Sequence, residues 1–115
     1  MPPMAYYHYT SRHAAQNVIC GDPSLIRPGR SGKVFLSPIR YQYGHEAAGE
    51  LGIENPVEMV CQIPESVVSV LSEATRVERI INADGTVIRR GRGWEVNCMA
   101  PIPAAKCPWS QVLDP

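Results

Sequence analysis

The sequence predicts an α+β fold, a single domain of antiparallel strands packed with a few short helices. Three observations lead there. Apolar residues recur at the helical spacing of three to four only in the first half of the chain, while strand-like runs dominate the second. Val57, Met59, Cys61 and Ile63 alternate with Glu58 and Gln62, as a strand with one buried face requires. No Gly-x-Gly-x-x-Gly fingerprint sits in a parallel βαβ pattern, which disfavours a Rossmann arrangement. The 115 residues fit one domain spanning 1–115 and leave no room for a second. A chain of that length buries a core without metals or disulfides.

The elements follow in order. Residues 6–10 are aromatic and strand-forming. Thr10 or Ser11 then caps a helix running to about residue 20, with Ala14, Ala15, Val18 and Ile19 on its inner face. Gly21 closes that helix and Pro23 forbids its continuation. Residues 26–33 form a loop rich in Pro, Gly and Arg, and residues 34–37 a short buried strand ended by Pro38. A second helix covers residues 43–51, with Ala47 and Ala48 on a small-residue face and Gly52 at its end. Residues 57–63 are the clearest half-buried strand. Residues 65–71 suit either helical turns or a strand. Residues 77–81 and 86–88 flank Asn82-Ala83-Asp84-Gly85, a hairpin loop. Residues 89–93 are a basic, glycine-rich loop, residues 94–99 the last strand, and the proline-rich tail beyond Pro101 wraps the surface.

Eleven basic residues balance eleven acidic ones, which argues against a general nucleic-acid or membrane-surface binder. No apolar run is long enough to span a bilayer, and the opening Met-Pro-Pro-Met is unlike a signal peptide. The expected location is cytoplasmic as given; the toxic domain of a secreted effector is the alternative. Cys20, Cys61, Cys98 and Cys107 form no Cys-x-x-Cys pair and have no histidine at zinc-finger spacing. Buried free thiols are expected rather than a metal site or a disulfide framework.

Three segments carry candidate chemistry. In Tyr7-His8-Tyr9-Thr10-Ser11, alternation turns His8 to the face opposite Tyr7 and Tyr9. The ordinary alternative is a histidine bonded to a main-chain group at a strand end. In Gly32-Lys33-Val34-Phe35-Leu36-Ser37-Pro38, the only phenylalanine lies in a short strand ahead of Tyr41, Tyr43 and the Ala-rich helix. In Arg92-Gly93-Trp94-Glu95-Val96, Glu95 stands in an otherwise apolar strand, after glycines that allow close backbone approach to a ligand. The alternative there is a carboxylate pointing out to solvent.

Taken in order, these segments resemble the ADP-ribosyltransferase superfamily. The Tyr-His-Tyr-Thr strand, the Gly-x-x-aromatic-Leu-Ser strand, the Ala-rich helix and the late Gly-x-Glu strand are similar to its histidine–tyrosine–acid branch. Within that branch the resemblance is particularly to the small bacterial toxin-like domains named for an H-Y-D signature. Rifamycin-modifying transferases, with a Tyr-His-Gly-Thr opening, are a second relative. The resemblance covers roughly residues 6–103. It implies split antiparallel β-sheets with a few short helices, NAD⁺ as substrate and no metal. His8 would bond the adenosine ribose, and the backbone of Tyr9 the nicotinamide amide. Thr10 and Ser11 would cap the helix near the dinucleotide. Phe35 would stack on nicotinamide where the family has tyrosine, with Ser37 in the same strand and Tyr43 supplying a second ring. Glu95 would bond the nicotinamide ribose. The implied activity is mono-ADP-ribosyl transfer or NAD⁺ glycohydrolysis.

The chemistry suits those residue types. Cleavage of the nicotinamide–ribose bond builds positive charge on the sugar, as in glycoside hydrolysis. A fixed carboxylate stabilises that charge more in the transition state than in the ground state. Aromatic faces hold the flat cationic ring.

Two departures matter. Phe35 lacks the family's hydroxyl but keeps the stacking surface. Gly93 occupies the position where arginine-modifying relatives carry Glu or Gln, which argues against arginine as acceptor. The acceptor is then another protein side chain, a nucleic acid, a small molecule or water. Toxin-like relatives imply an inhibitor or immunity partner. Two other functions compete: a degraded module that binds NAD⁺ or ADP-ribose without turnover, and a structural partner-binding domain. Other motifs carry less. His45-Glu46 lacks the second histidine of a zinc protease, and Cys20 with His13 lacks a third group. Arg89, Arg90 and Arg92 read as a solvated loop, with phosphate gripping as the alternative, shared by Arg12 and Arg40.

Overall fold

The computed structural model describes residues 5–28, 32–53, 56–68, 75–76, 80–81, 87–89, 93–105 and 107–113. The first strand, β1, is Ala5–Thr10. It passes directly into helix α1, Arg12–Ile19, because Ser11 is extended and its hydroxyl accepts from Ala14 N at 3.2 Å. Ala15 is fully buried and Ala14 and Val18 are half-buried, as the helical spacing predicts. Ile19 departs from it. As the last helical residue it overruns the core edge and is 49% exposed.

Strand β2, Leu25–Ile26, falls at the start of the segment expected to be a loop. Strand β3, Val34–Leu36, and helix α2, Gly44–Leu51, lie where the sequence predicts. Gly52 ends α2 with φ 69°, a left-handed conformation that favours glycine. Strand β4, Met59–Pro64, is followed by a 3₁₀ turn, Glu65–Val67, one of the two alternatives for that segment. Residues 69–71 lie outside the described residues. The expected hairpin strands are β6, Ile80–Ile81, and β7, Val87–Arg89, after the short β5, Thr75–Arg76. They pair antiparallel, and their connecting residues 82–86 lie outside the described residues. Strand β8 is Trp94–Cys98.

The tail corrects an expectation. It does not wrap the surface but supplies β9, Ile102–Pro103, and β10, Trp109–Gln111. Strand β9 pairs with β2, which explains why both were missed: each is two residues long and meaningful only beside the other. Pro103 ends an outer strand, where a missing N–H costs no ladder bond. Ala104, Cys107 and Val112 are buried, tying the tail to the core.

The larger sheets run β1-β4-β10 and β3-β8-β5, with every pairing antiparallel. Strand β4 is buried on both faces rather than one. Cys61 and Ile63 face a core shared with Tyr6, Val34, Leu36, Val96, Cys98 and Ile102. Val60 faces a second core formed with Tyr9, Val57, Ala47 and Leu51. The helix α2 covers a face that the alternation left to solvent. Fully buried side chains such as Leu36 and Ile63 each contribute roughly 1.5–3 kcal/mol. The result is one α+β domain.

Candidate functional site

The site begins where β1 meets β3. The two strands touch through one antiparallel bridge, Tyr7 to Ser37. Tyr7 N donates to Ser37 O at 2.9 Å, and Ser37 N donates to Tyr7 O at 2.8 Å. Main-chain groups alternate along a strand, so Phe35 turns its carbonyl to this same edge, and Tyr9 turns its amide and carbonyl to it as well. A continuous sheet would pair Phe35 with Tyr9. Instead His8 Nδ1 donates to Phe35 O at 3.2 Å. The imidazole takes the carbonyl that the Tyr9 amide would have bonded, and the pairing of the two strands stops there, a notch in the hydrogen-bond ladder beside Tyr9.

That bond also sets the tautomer. Burial pulls the His8 pKa below 6.5, outweighing the Phe35 carbonyl, which acts in the opposite direction. His8 is half-buried. A neutral ring with its proton on Nδ1 leaves Nε2 as an acceptor.

Strand β8 lies on the other side of β3. The register sets Phe35 against Asn97 and Leu36 against Val96. Val34, Leu36, Val96 and Cys98 face the first core, so Phe35, Glu95 and Asn97 share the opposite face. Phe35 is 37% exposed there, and Glu95 only 4%. The carboxylate therefore does not point out to solvent, and Glu95 is an ionisable side chain built into the middle strand of a sheet. Alternation turns His8, registered against Cys61 and two residues from Tyr6, to the first-core face, whereas Glu95 shares the opposite face with Phe35. The strands thus place the two on either side of β3 and on opposite faces.

The remaining expected residues divide. Tyr9 buries its ring in the second core, with its main chain at the notch. Thr10 ends β1, its carbonyl accepting from Glu58 N at 3.0 Å. Ser11, not Thr10, caps α1. Ser37 is fully buried, and its hydroxyl is saturated: it donates to Ile39 O at 2.6 Å, accepts from Ile39 N at 3.0 Å and bonds the Tyr41 side chain. It shapes the turn after β3. Tyr43 sits away from this group, stacked on His45 at 5.6 Å and bridged to Leu113. Gly93 also differs from expectation. Its close approach is to the protein itself, since its amide donates to Glu50 O at 2.8 Å. A Cβ there would stand 2.9 Å from the Tyr41 hydroxyl and 3.1 Å from Glu50 O.

Tyr41 and Asn97 are the residues that sequence reasoning missed. Asn97 was detectable, because it shares Glu95's side of an alternating strand. Tyr41 was not, because only the turn at Pro38 brings it back to Tyr9. The main chain of residue 41 donates to the Tyr9 hydroxyl at 2.5 Å, and the two rings lie 6.0 Å apart.

Two open clefts lie elsewhere. One of about 480 Å³ is lined by Ile19, Ser24, Cys107 and Trp109, and one of about 350 Å³ by Arg40, Tyr41, Gln42 and Gln111. Neither includes His8 or Glu95. Arg40 stands 5.8 Å from the Tyr7 ring centroid, and Arg12 N donates to Glu58 Oε1 at 3.1 Å. Arg90 and Arg92 lie outside the described residues. Among the described residues no three His, Cys, Asp or Glu side chains are grouped to hold a metal ion, and no helix is long and apolar enough to cross a membrane. The described cysteines are free thiols, Cys20 exposed and Cys61, Cys98 and Cys107 buried. Compared with family models, curated proteins and solved structures, the chain has no significant match.

Proposed function

We propose that the chain cleaves NAD⁺ at the nicotinamide–ribose bond, as an ADP-ribosyltransferase or NAD⁺ glycohydrolase. The observation that carries this reading is the interrupted pairing of β1 and β3, where His8 replaces Tyr9 as the partner of Phe35 O. The interruption gives the notch one main-chain donor and one acceptor, both from Tyr9. A carboxamide presents the complementary pair, one acceptor and one donor, as the nicotinamide amide does. The half-exposed Phe35 ring offers a face for the flat cationic heterocycle. His8 Nε2 accepts from a ribose hydroxyl.

Glu95 then supplies the electrostatics. As the C1′–N bond breaks, its electron pair leaves with nicotinamide and positive charge gathers on the ribose. A preorganised carboxylate favours that state over the ground state, and groups of this kind account for roughly 10²–10³ in rate. Water or an acceptor nucleophile then bonds C1′ and releases a proton. Gly93, enclosed by Tyr41 and Glu50, has no room for the acidic side chain that arginine-modifying relatives carry there, which argues for an acceptor other than arginine.

Phe35 favours a second reading, in which the fold binds NAD⁺ or ADP-ribose without turnover, because it keeps the stacking face and lacks the family's hydroxyl. Amide chemical shifts during NAD⁺ titration test the shared premise. Shifts centred on Tyr9 and Phe35 are expected, and a titration that leaves both unmoved contradicts both readings.

A further inference from the structure

The Tyr41 side chain reaches Tyr9 of β1, Ser37 just after β3 and Gly93 just before β8, yet neither the expected residues nor the proposed mechanism uses it. Its ring packs against Tyr9 of β1 at 6.0 Å and 50°. Its hydroxyl is hydrogen-bonded to the Ser37 side chain, just beyond β3. The same hydroxyl stands over the Cα of Gly93, where a Cβ would lie 2.9 Å away. Gly93 is in turn held to α2 through Glu50 O at 2.8 Å. Glu95 follows Gly93 by two residues, so the height of Gly93 against this hydroxyl sets where β8 begins and how its carboxylate is aimed.

We propose that Tyr41 is the positioning residue of the site: its hydroxyl, between Ser37 and Gly93, fixes β8 against β3 and so places Glu95. This rests on the reading of the site as NAD⁺-cleaving. Three features support a positional role over a merely structural one. The side chain is only half-buried: its ring packs at the edge of the second core, and it forms part of the wall of the cleft shared with Arg40 and Gln42. Burial first, then Glu50 and Glu46, raise its pKa, so the hydroxyl keeps its proton. A Cβ on Gly93 would press on the Tyr41 hydroxyl at 2.9 Å and on Glu50 O at 3.1 Å, as expected where two backbones are held at a set distance.

The test is nicotinamide release from NAD⁺ by wild type, Tyr41→Phe, Gly93→Ala and the double variant, each normalised to its folded fraction. Tyr41→Phe should lower kcat about tenfold with KM within about twofold, the pattern of a lost transition-state alignment. Gly93→Ala should lower kcat similarly, and the double variant no further, because both changes act on one contact. Should Tyr41→Phe fail to fold, Gly93→Ala acts on the same contact from the β8 side and should by itself give the loss in kcat with KM unchanged. Wild-type kcat in Tyr41→Phe, a change in KM alone, or independent losses in the double variant overturns the positioning role while leaving the enzymatic reading intact. A wild type that releases no nicotinamide overturns both.

Discussion

His8 Nδ1 and the Phe35 carbonyl are 3.2 Å apart, and this side-chain bond stands where a sheet would have a main-chain bond to Tyr9. One residue thus ends the pairing of β1 with β3 and keeps its second nitrogen as an acceptor. His8→Ala should raise the KM for NAD⁺, by about tenfold if one good hydrogen bond is lost, since about 1.4 kcal/mol corresponds to that factor. Initial rates against NAD⁺ concentration check it.

The same residue gives the fold a pH dependence. The native His8 pKa lies below 6.5, so the unfolded chain takes up the proton more readily. Stability from His8 is fully present above pH 6.5 and is lost as pH falls from there through the native pKa. Urea midpoints for wild type should therefore decline from pH 7 to pH 5 more steeply than those of His8→Gln.

On the alkaline side the sign reverses. Burial pushes the Tyr9 hydroxyl and the Cys61 thiol each up to about 12, and the Cys107 thiol up as well. The unfolded chain ionises these groups first, near 9 for the thiols and 10 for the phenol. Their contribution is complete below pH 9 and is lost as pH rises toward 12. Thermal midpoints should fall steadily above pH 9, and less so in Tyr9→Phe.

Thiol accessibility tests the packing. Cys20 is exposed, while Cys61, Cys98 and Cys107 are buried. An aromatic disulfide reagent should titrate one thiol in the native protein and all four in denaturant. Rapid native reaction of Cys61 would contradict the burial of β4.

Local structure was legible wherever chemistry was local. Ser11 as a cap, Gly52 in the left-handed region and the buried Val34 and Leu36 follow from short spacings. What escaped depends on distant partners. Val60 is buried because α2 covers it, Leu25 is a strand residue because Pro103 lies beside it, and the tail is ordered because Trp109 pairs with Cys61. The site shows the same division. Alternation marks Phe35 and the segment around Glu95, and the His8 motif is visible. That His8 bonds Phe35 O, and that Tyr41 rather than Tyr43 reaches Gly93, depends on the turn between Ser37 and Tyr41.

The central claim is cleavage of NAD⁺ with Glu95 as the stabilising acid. Its most direct test is the time course of nicotinamide release by the purified protein beside Glu95→Gln, which removes the charge and keeps the shape. The account predicts release by wild type and a rate lower by about 10²–10³ in the variant. Equal release by both proteins, or none by either, would contradict it.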